Sequence, residues 1–312
     1  MNVYDWWCVI ITSRVNNFIK FLSLFLVLFL FLANVKYITA SVISSLGFIY
    51  KTLIPSLFPF MVISSIILYT TRVQSDFKLI NFVLDNCKIY ANEILIGWIC
   101  GFVIGAKGIC EKYKLYNDIE SFNRSVFLSS NAGAGFVIGC VGGVIYKNIW
   151  FGIYLYIVQI LSALLIFKLK GYKKTYSKNI IYDTPIPFFS AIVKAVKVST
   201  GSIITICGFN IFFSTLCDLI NVRMGLTVGN IKFAINNIIM DFSKGSFCVL
   251  ELNNKLLCYF LTGFCVGFGG ISVHLQIFSE CEGYPLNKLK FTILKFMQGF
   301  ICGLFSLTYS FI

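Results

Sequence analysis

Residues 256–279 read Leu256-Leu257-Cys258-Tyr259-Phe260-Leu261-Thr262-Gly263-Phe264-Cys265-Val266-Gly267-Phe268-Gly269-Gly270-Ile271-Ser272-Val273-His274-Leu275-Gln276-Ile277-Phe278-Ser279, with no charge between Lys255 and Glu280. A helix rises about 1.5 Å per residue, so about 20 mostly apolar residues cross the roughly 30 Å hydrocarbon core of a bilayer. A helix also satisfies its own backbone hydrogen bonds where no water can, so an apolar run of this length reads as a membrane segment. The same run holds the adjacent Gly269 and Gly270 and the single histidine, His274. It predicts a span with an interruption inside it.

Charge is also missing between Lys51 and Arg72, Arg124 and Lys147, Lys147 and Lys168, and Lys197 and Asp218. Shorter candidates lie between Lys20 and Lys36, between Glu93 and Lys107, and from Phe296 to Ile312. The expected fold is an all-α, polytopic transmembrane bundle of about seven to nine segments. Composition agrees, since 58% of the 312 residues are hydrophobic and 12% charged, against about 25% charged in an average soluble domain. The first apolar run, Phe21 to Leu32, follows Arg14 and Lys20 without a prompt small-x-small site. It reads as an uncleaved signal anchor rather than a secretory leader.

The formal charge of +13 does not point to nucleic acid. The cations are scattered through short connections and are densest at Lys168, Lys170, Lys173, Lys174 and Lys178, after an apolar window, as expected of a cytoplasmic loop beside anionic lipid. The expected partners are therefore the bilayer and a small molecular or ionic solute; nucleic acid is excluded and a homo-oligomer is left open. The 12 cysteines form no CxxC pair and mostly lie in apolar windows, where they serve as small hydrophobes. No disulfide, metal or cofactor is expected. Nucleotide-binding loops, GxSxG and HExxH are missing, so an enzyme or an ATP-driven pump is not expected.

The basic stretch near Lys168 to Pro187 divides the chain into an N-terminal transmembrane helix (1–40), a first half (41–168), a linker (169–187) and a second half (188–312). Each half reads as an interrupted long helix, a glycine-laddered helix, and a segment broken by polar residues. The long-helix interruptions are Pro55 to Phe60 and, in the second half, Cys207 to Phe213. The ladders are Gly97-Gly101-Gly105 and Gly263-Gly267, a spacing that lets membrane helices approach closely. Residues 125–146, with Ser129 to Gly135 at their centre, are expected to form a re-entrant or broken helix. Paired halves of this kind are common in transporters, whose sites lie where the halves meet.

Polar side chains inside such windows are costly and mark pathways. Near Gly269 and Gly270, an extended backbone would point Ser272, His274 and Gln276 one way, whereas a helix would align only Ser272 with Gln276. Lys107 either reaches an anionic group or snorkels to the interface. Asn131 sits in the Ser129–Gly135 break, where free amides attract polar groups, or ties helices together. Glu251 is either a partner for Lys107 or His274, or a surface residue near Lys255. Lys107, Asn131, Glu251, Ser272, His274 and Gln276 are the candidate substrate-binding residues.

At these positions the chain resembles the YlbJ-type sporulation integral membrane proteins, which carry two nucleoside-recognition (Gate) domains. The resemblance rests on Pro55-Ser56-Leu57-Phe58-Pro59-Phe60, Gly105-Ala106-Lys107, Asn131-Ala132-Gly133, Ile206-Cys207-Gly208-Phe209, Leu250-Glu251-Leu252 and Gly267 to Gln276. It implies a multi-pass bacterial membrane protein of the sporulating mother cell, around the forespore, needed for spore cortex formation. Gate domains are similar to parts of nucleoside and iron transporters, so the resemblance favours a permease for a small solute. The alternatives are a non-transporting scaffold for cortex assembly and, less favoured, an intramembrane hydrolase using Ser272 or a cysteine with His274.

Overall fold

The computed structural model describes residues 3–70, 85–169 and 185–311, with side chains from Phe18 onward, and every regular element among them is helical. Most of the expected linker, including Lys170, Lys173, Lys174 and Lys178, lies outside the described residues. The elements are α1 (Val3–Ala33), α2 (Val35–Phe48), a wide π turn (Ile49–Leu53) and α3 (Ile54–Thr70), then α4 (Ala91–Cys100), α5 (Phe102–Tyr116) and α6 (Ile119–Ser129). A π-helical arm (Gly135–Ile145) and α7 (Ile149–Leu169) precede the linker. After it come α8 (Phe188–Arg223), α9 (Ile231–Met240), α10 (Phe242–Cys248), α11 (Lys255–Phe268), α12 (Gly270–Glu280) and α13 (Lys288–Leu307).

Helix starts are set by short polar side chains that accept otherwise orphaned amides. Asp118 receives Glu120 N and Ser121 N, Asn230 receives Lys232 N, Asn254 receives Leu257 N, and Asn287 receives Lys290 N. Between these caps, five stretches are long and apolar enough to cross a membrane: Val35–Ile67, Ile149–Leu169, Phe188–Arg223, Lys255–Glu280 and Lys288–Phe311.

The burial pattern is that of a protein dissolved in lipid. Phe25, Leu28, Ile63, Leu161, Ile204 and Phe300 are exposed, whereas Asn131, Gln159, Lys295 and Gln298 are completely buried. In water, exposing such apolar faces would be unfavourable; in hydrocarbon they cost nothing, and the polar groups turn inward to find partners. The chain is a membrane-embedded helical protein.

Three expectations are corrected. The first long helix is not interrupted within Pro55 to Phe60: α3 runs through that stretch with Pro59 inside it, and the backbone widens just ahead of it, in the π turn Ile49–Leu53, where Pro55 has no N–H to donate back. Gly97, Gly101 and Gly105 do not line one helix: Gly101 has φ 101° and ends α4, and the chain folds back so that α5 packs on α4. A Cβ on Gly105 would come within 2.6 Å of Gly97 Cα, so the glycines permit a tight hairpin instead of a ladder. Nor is the long second-half helix broken at Cys207 to Phe213. Helix α8 runs through that stretch, and Gly208 faces open space. With room around it and no competing partner for its backbone, the glycine lowers helix propensity slightly and does no more. By contrast, α11 meets α13 at the expected small residues, where a Cβ on Gly267 would lie 2.8 Å from Gly299 Cα.

Candidate functional site

Four interruptions of the helical backbone organise the interior. The first is Gly101, between α4 and α5. The second covers residues 130–133, between α6 and the π-helical arm, and bears out the expected break around Asn131. The third is Asp241, in extended conformation (φ −145°, ψ 121°) between α9 and α10. The fourth is the pair Gly269 and Gly270, at φ 86° and 75°, a left-handed backbone that L side chains resist.

These interruptions pack in pairs. A Cβ on Gly101 would sit 3.2 Å from Gly133 N, and one on Gly270 would sit 3.1 Å from Ile238 O and 3.2 Å from Phe242 N. The first pair belongs to the N-terminal half of the chain and the second to the C-terminal half. Aromatic rings join them: Phe242 lies 5.3 Å from Phe102 and 4.3 Å from Phe136, centroid to centroid.

A cavity of about 40 Å³ remains at the junction, with Gly101, Gly133, Asn210, Asp241, Ser272 and Gln276 in its wall. At roughly 10–15 Å³ per water centre, it holds a few waters or one small ion. Small-molecule pockets usually exceed about 300 Å³, so this conformation is closed to anything larger.

Asp241 dominates that wall. It is buried, its Oδ1 accepts from Ser272 Oγ at 2.8 Å, and its Oδ2 accepts from Asn210 Nδ2 and Lys244 N, each at 3.0 Å. The Lys244 ammonium pairs with Asp218 instead and donates to Ser214 O at 3.3 Å. Among the described residues no cationic side chain forms an ion pair with Asp241.

A second polar network closes the break at residues 130–133 from behind. Lys295 Nζ donates to Ser130 O at 2.5 Å and to Gln298 Oε1 at 2.7 Å. Gln298 Nε2 donates to Asn131 Oδ1 at 2.6 Å, and Gln159 Nε2 donates to Ala132 O at 3.0 Å. Carbonyls freed by the interruption thus receive donors from α7 and α13, as backbone in hydrocarbon requires. The ammonium also lies 5.7 Å from the Phe102 ring centroid and 5.8 Å from that of Phe127.

The six candidate residues separate accordingly. Ser272 and Gln276 face the cavity together because α12 is helical after Gly270. His274, on another side of that helix, is buried among Phe268, Phe278 and Phe291, with Nδ1 2.7 Å from Gly270 O and Nε2 without a hydrogen-bond partner among the described residues. Asn131 belongs to the Lys295 network. Lys107 is exposed and borders a separate polar groove with Tyr69, Glu93, Glu111, Lys112 and Lys194; the buried Glu93–Lys112 ion pair, at 3.1 Å, lies in its wall. Glu251 ends a short turn, exposed, and is not part of the cavity wall.

Sequence reasoning passed over Asp241, Asn210, Lys295 and Gln298. Two of them carry a plain signal: Asp241 follows Ile238-Ile239-Met240, and Lys295 stands between Leu294 and Phe296-Met297, each an isolated charge in an apolar run. Among the described residues no group of three or more His, Cys, Asp or Glu side chains is clustered. The hydroxyl, amide and carboxylate oxygens beside Asp241 suit a hard cation or a hydroxyl- or amine-bearing solute better than a soft metal. Comparison of the chain with family models, with curated proteins and with solved structures gives no match.

Proposed function

We propose that the chain is a permease-like protein of about seven to nine membrane segments, built from two related halves, that passes a small polar solute through the junction of its four interruptions. The reading is supported by a succession of elements that occurs twice. A long helix (α2 with α3, then α8) is followed by a helix pair flanking one interruption (α4 and α5, then α9 and α10). A second interrupted pair follows (α6 and the π-helical arm, then α11 and α12), and a single long helix closes the set (α7, then α13).

The observation that carries it is the gathering of the interruptions around one cavity: Gly101, Gly133 and Asp241 are in its wall, and the helix that starts at Gly270 brings Ser272 and Gln276 to it. Unwound backbone in hydrocarbon is tolerated where protein buries it or where it lines a pathway. Such places gathered around a carboxylate, two amides and a hydroxyl make little sense as packing, because an aliphatic interior would be cheaper. The small cavity represents an occluded state, which opens on one side at a time. Spore cortex formation, in the mother-cell membrane around the forespore, is the setting that the motifs Asn131-Ala132-Gly133 and Gly267 to Gln276 suggest.

The test is complementation in a spore-forming host that lacks the gene, paired with solute uptake into proteoliposomes. Permease function requires that Ser272→Ala with Gln276→Ala loses cortex formation and uptake together, while neutralising Lys168 to Lys178 is tolerated. The reverse pattern, with the cavity variants active and the basic-loop variants dead, marks a scaffold.

A further inference from the structure

Ionised, Asp241 presents a charge that no cationic side chain pairs directly among the described residues; burial raises its pKa, and the field of Lys244 offsets this only in part. Moving a carboxylate from water into a low-dielectric interior costs several kcal/mol even after relaxation, and neutral hydrogen bonds do not cancel its net charge. Its three donors are a hydroxyl, an amide and a backbone N–H, and the nearby Lys244 is committed to Asp218. The carboxylate lies between the C-terminal end of α9 and the N-terminus of α10, whose Lys244 N it caps, so the two helix dipoles oppose each other there and leave its charge to be balanced by other groups.

The neighbouring acceptors point the same way. Asn210, only 3% exposed, turns its Nδ2 to Asp241 and leaves Oδ1 without a hydrogen-bond partner among the described residues. Gln276, 6% exposed, lies on the same cavity wall one helical turn from Ser272. Among the described residues, a buried amide oxygen without a donor lies beside a buried carboxylate that no cationic side chain pairs directly, an arrangement that a single positive particle would serve on both counts.

We infer that the cavity beside Asp241 binds one monovalent inorganic cation of sodium size, held by the Asp241 carboxylate, Asn210 Oδ1, Ser272 Oγ and the Gln276 amide oxygen. The volume of about 40 Å³ admits such an ion with a water or two and excludes an organic cation. Oxygen ligands without sulfur or imidazole match a hard ion, and a single carboxylate matches a single charge. Broken-helix sites of this kind hold coupling ions in secondary transporters. The coupling role rests on the permease reading; the site itself rests on Asp241 and its neighbours.

The test uses the purified full-length chain in detergent, with thermal unfolding followed in sodium, potassium and choline chloride at equal ionic strength and fixed pH. Sodium should raise Tm saturably above choline, as a ligand of the folded state does, with potassium weaker. Asp241→Asn should abolish the rise. Asn210→Ala and Gln276→Ala, which keep the carboxylate, should raise the half-saturating sodium concentration at least about tenfold, the scale on which groups around a bound metal act. Equal wild-type stability in sodium and choline overturns the proposal, as does a sodium response unchanged in all three variants. Stability that follows pH alone, without cation dependence, overturns it in favour of a protonated Asp241. If Asp241→Asn fails to fold, the two amide variants decide. Sodium stabilisation without any solute uptake leaves the site and removes the permease; uptake indifferent to sodium, in a chain that binds it, leaves both and removes the coupling.

Discussion

Phe102 and Phe242 meet edge to face, 5.3 Å between centroids and 80° between planes, and each is the first helical residue after an interruption. Phe102 follows Gly101, and Phe242 follows Asp241. Residues from the N-terminal and C-terminal parts of the chain therefore touch beside the cavity, and Phe136 packs on the Phe242 ring. An aromatic pair at this point ties the interruption at Gly101 to the one at Asp241 and forms part of the cavity wall.

Phe242→Ala should destabilise the fold by about 3–5 kcal/mol, the usual result of emptying a buried aromatic site. Phe242→Leu should cost about 1.5 kcal/mol or less if the core repacks. Unfolding in detergent measures both. Equal, negligible effects would mean that the ring contact does not organise the junction.

The glycines make a contrast within one chain. Gly270→Ala must place a Cβ at φ 75°, 3.1 Å from Ile238 O, and should cost about 1–3 kcal/mol. Gly208→Ala, in open space on continuous α8, should be stabilising by up to about 1 kcal/mol. Melting temperatures of the two variants should move in opposite directions.

The sequence made the membrane class, most of the helices and two of the interruptions legible, because apolar length and a Gly-Gly pair act locally. Gly269 with Gly270, and the break around Asn131, could be placed from neighbouring residues alone. What stayed hidden depends on partners distant in sequence. Gly101 looked like one rung of a ladder because its spacing to Gly97 and Gly105 suits a helix; the hairpin arises from Gly133 and Ser129 packing against it. Cys207 to Phe213 looked like a break by analogy with Pro55 to Phe60, yet both stretches are helical; the prolines only widen the turn ahead of them at Ile49–Leu53, and without proline nothing removes a hydrogen bond in α8. His274 drew attention as the lone histidine, while Lys295, whose partners lie far away at Ser130 and Asn131 through Gln298, was hidden in an apolar helix face.

Lys295→Met should leave Ser130 O and Gln298 Oε1 without their donor and cost about 1–3 kcal/mol for each group stranded. Adding Gln298→Leu should cost less than the sum of the two single changes, since the residues share one network. A double-mutant cycle on unfolding free energy gives the coupling; strict additivity would show that the network does not act as a unit.

Cys110 on α5 and Cys281, just past α12, are both buried with their sulfurs 3.4 Å apart. A disulfide needs about 2.05 Å between sulfurs, so a small displacement suffices to join them. A membrane-permeant oxidant should yield the cross-linked 110–281 peptide by mass spectrometry, and Cys110→Ser should abolish it. If the halves move apart during transport, the cross-link should also stop uptake.

The central claim, that interruptions from both halves surround a small cavity whose polar corner is Asp241 with Asn210, Ser272 and Gln276, is tested most directly by an electron cryomicroscopy map of the chain in lipid nanodiscs. The expected map shows breaks at Gly101, residues 130–133, Asp241 and Gly269, with Phe102 against Phe242 and Ser272 bonded to Asp241. Continuous helices through Asp241 and Gly269, or an Asp241 side chain directed at acyl chains, would contradict it.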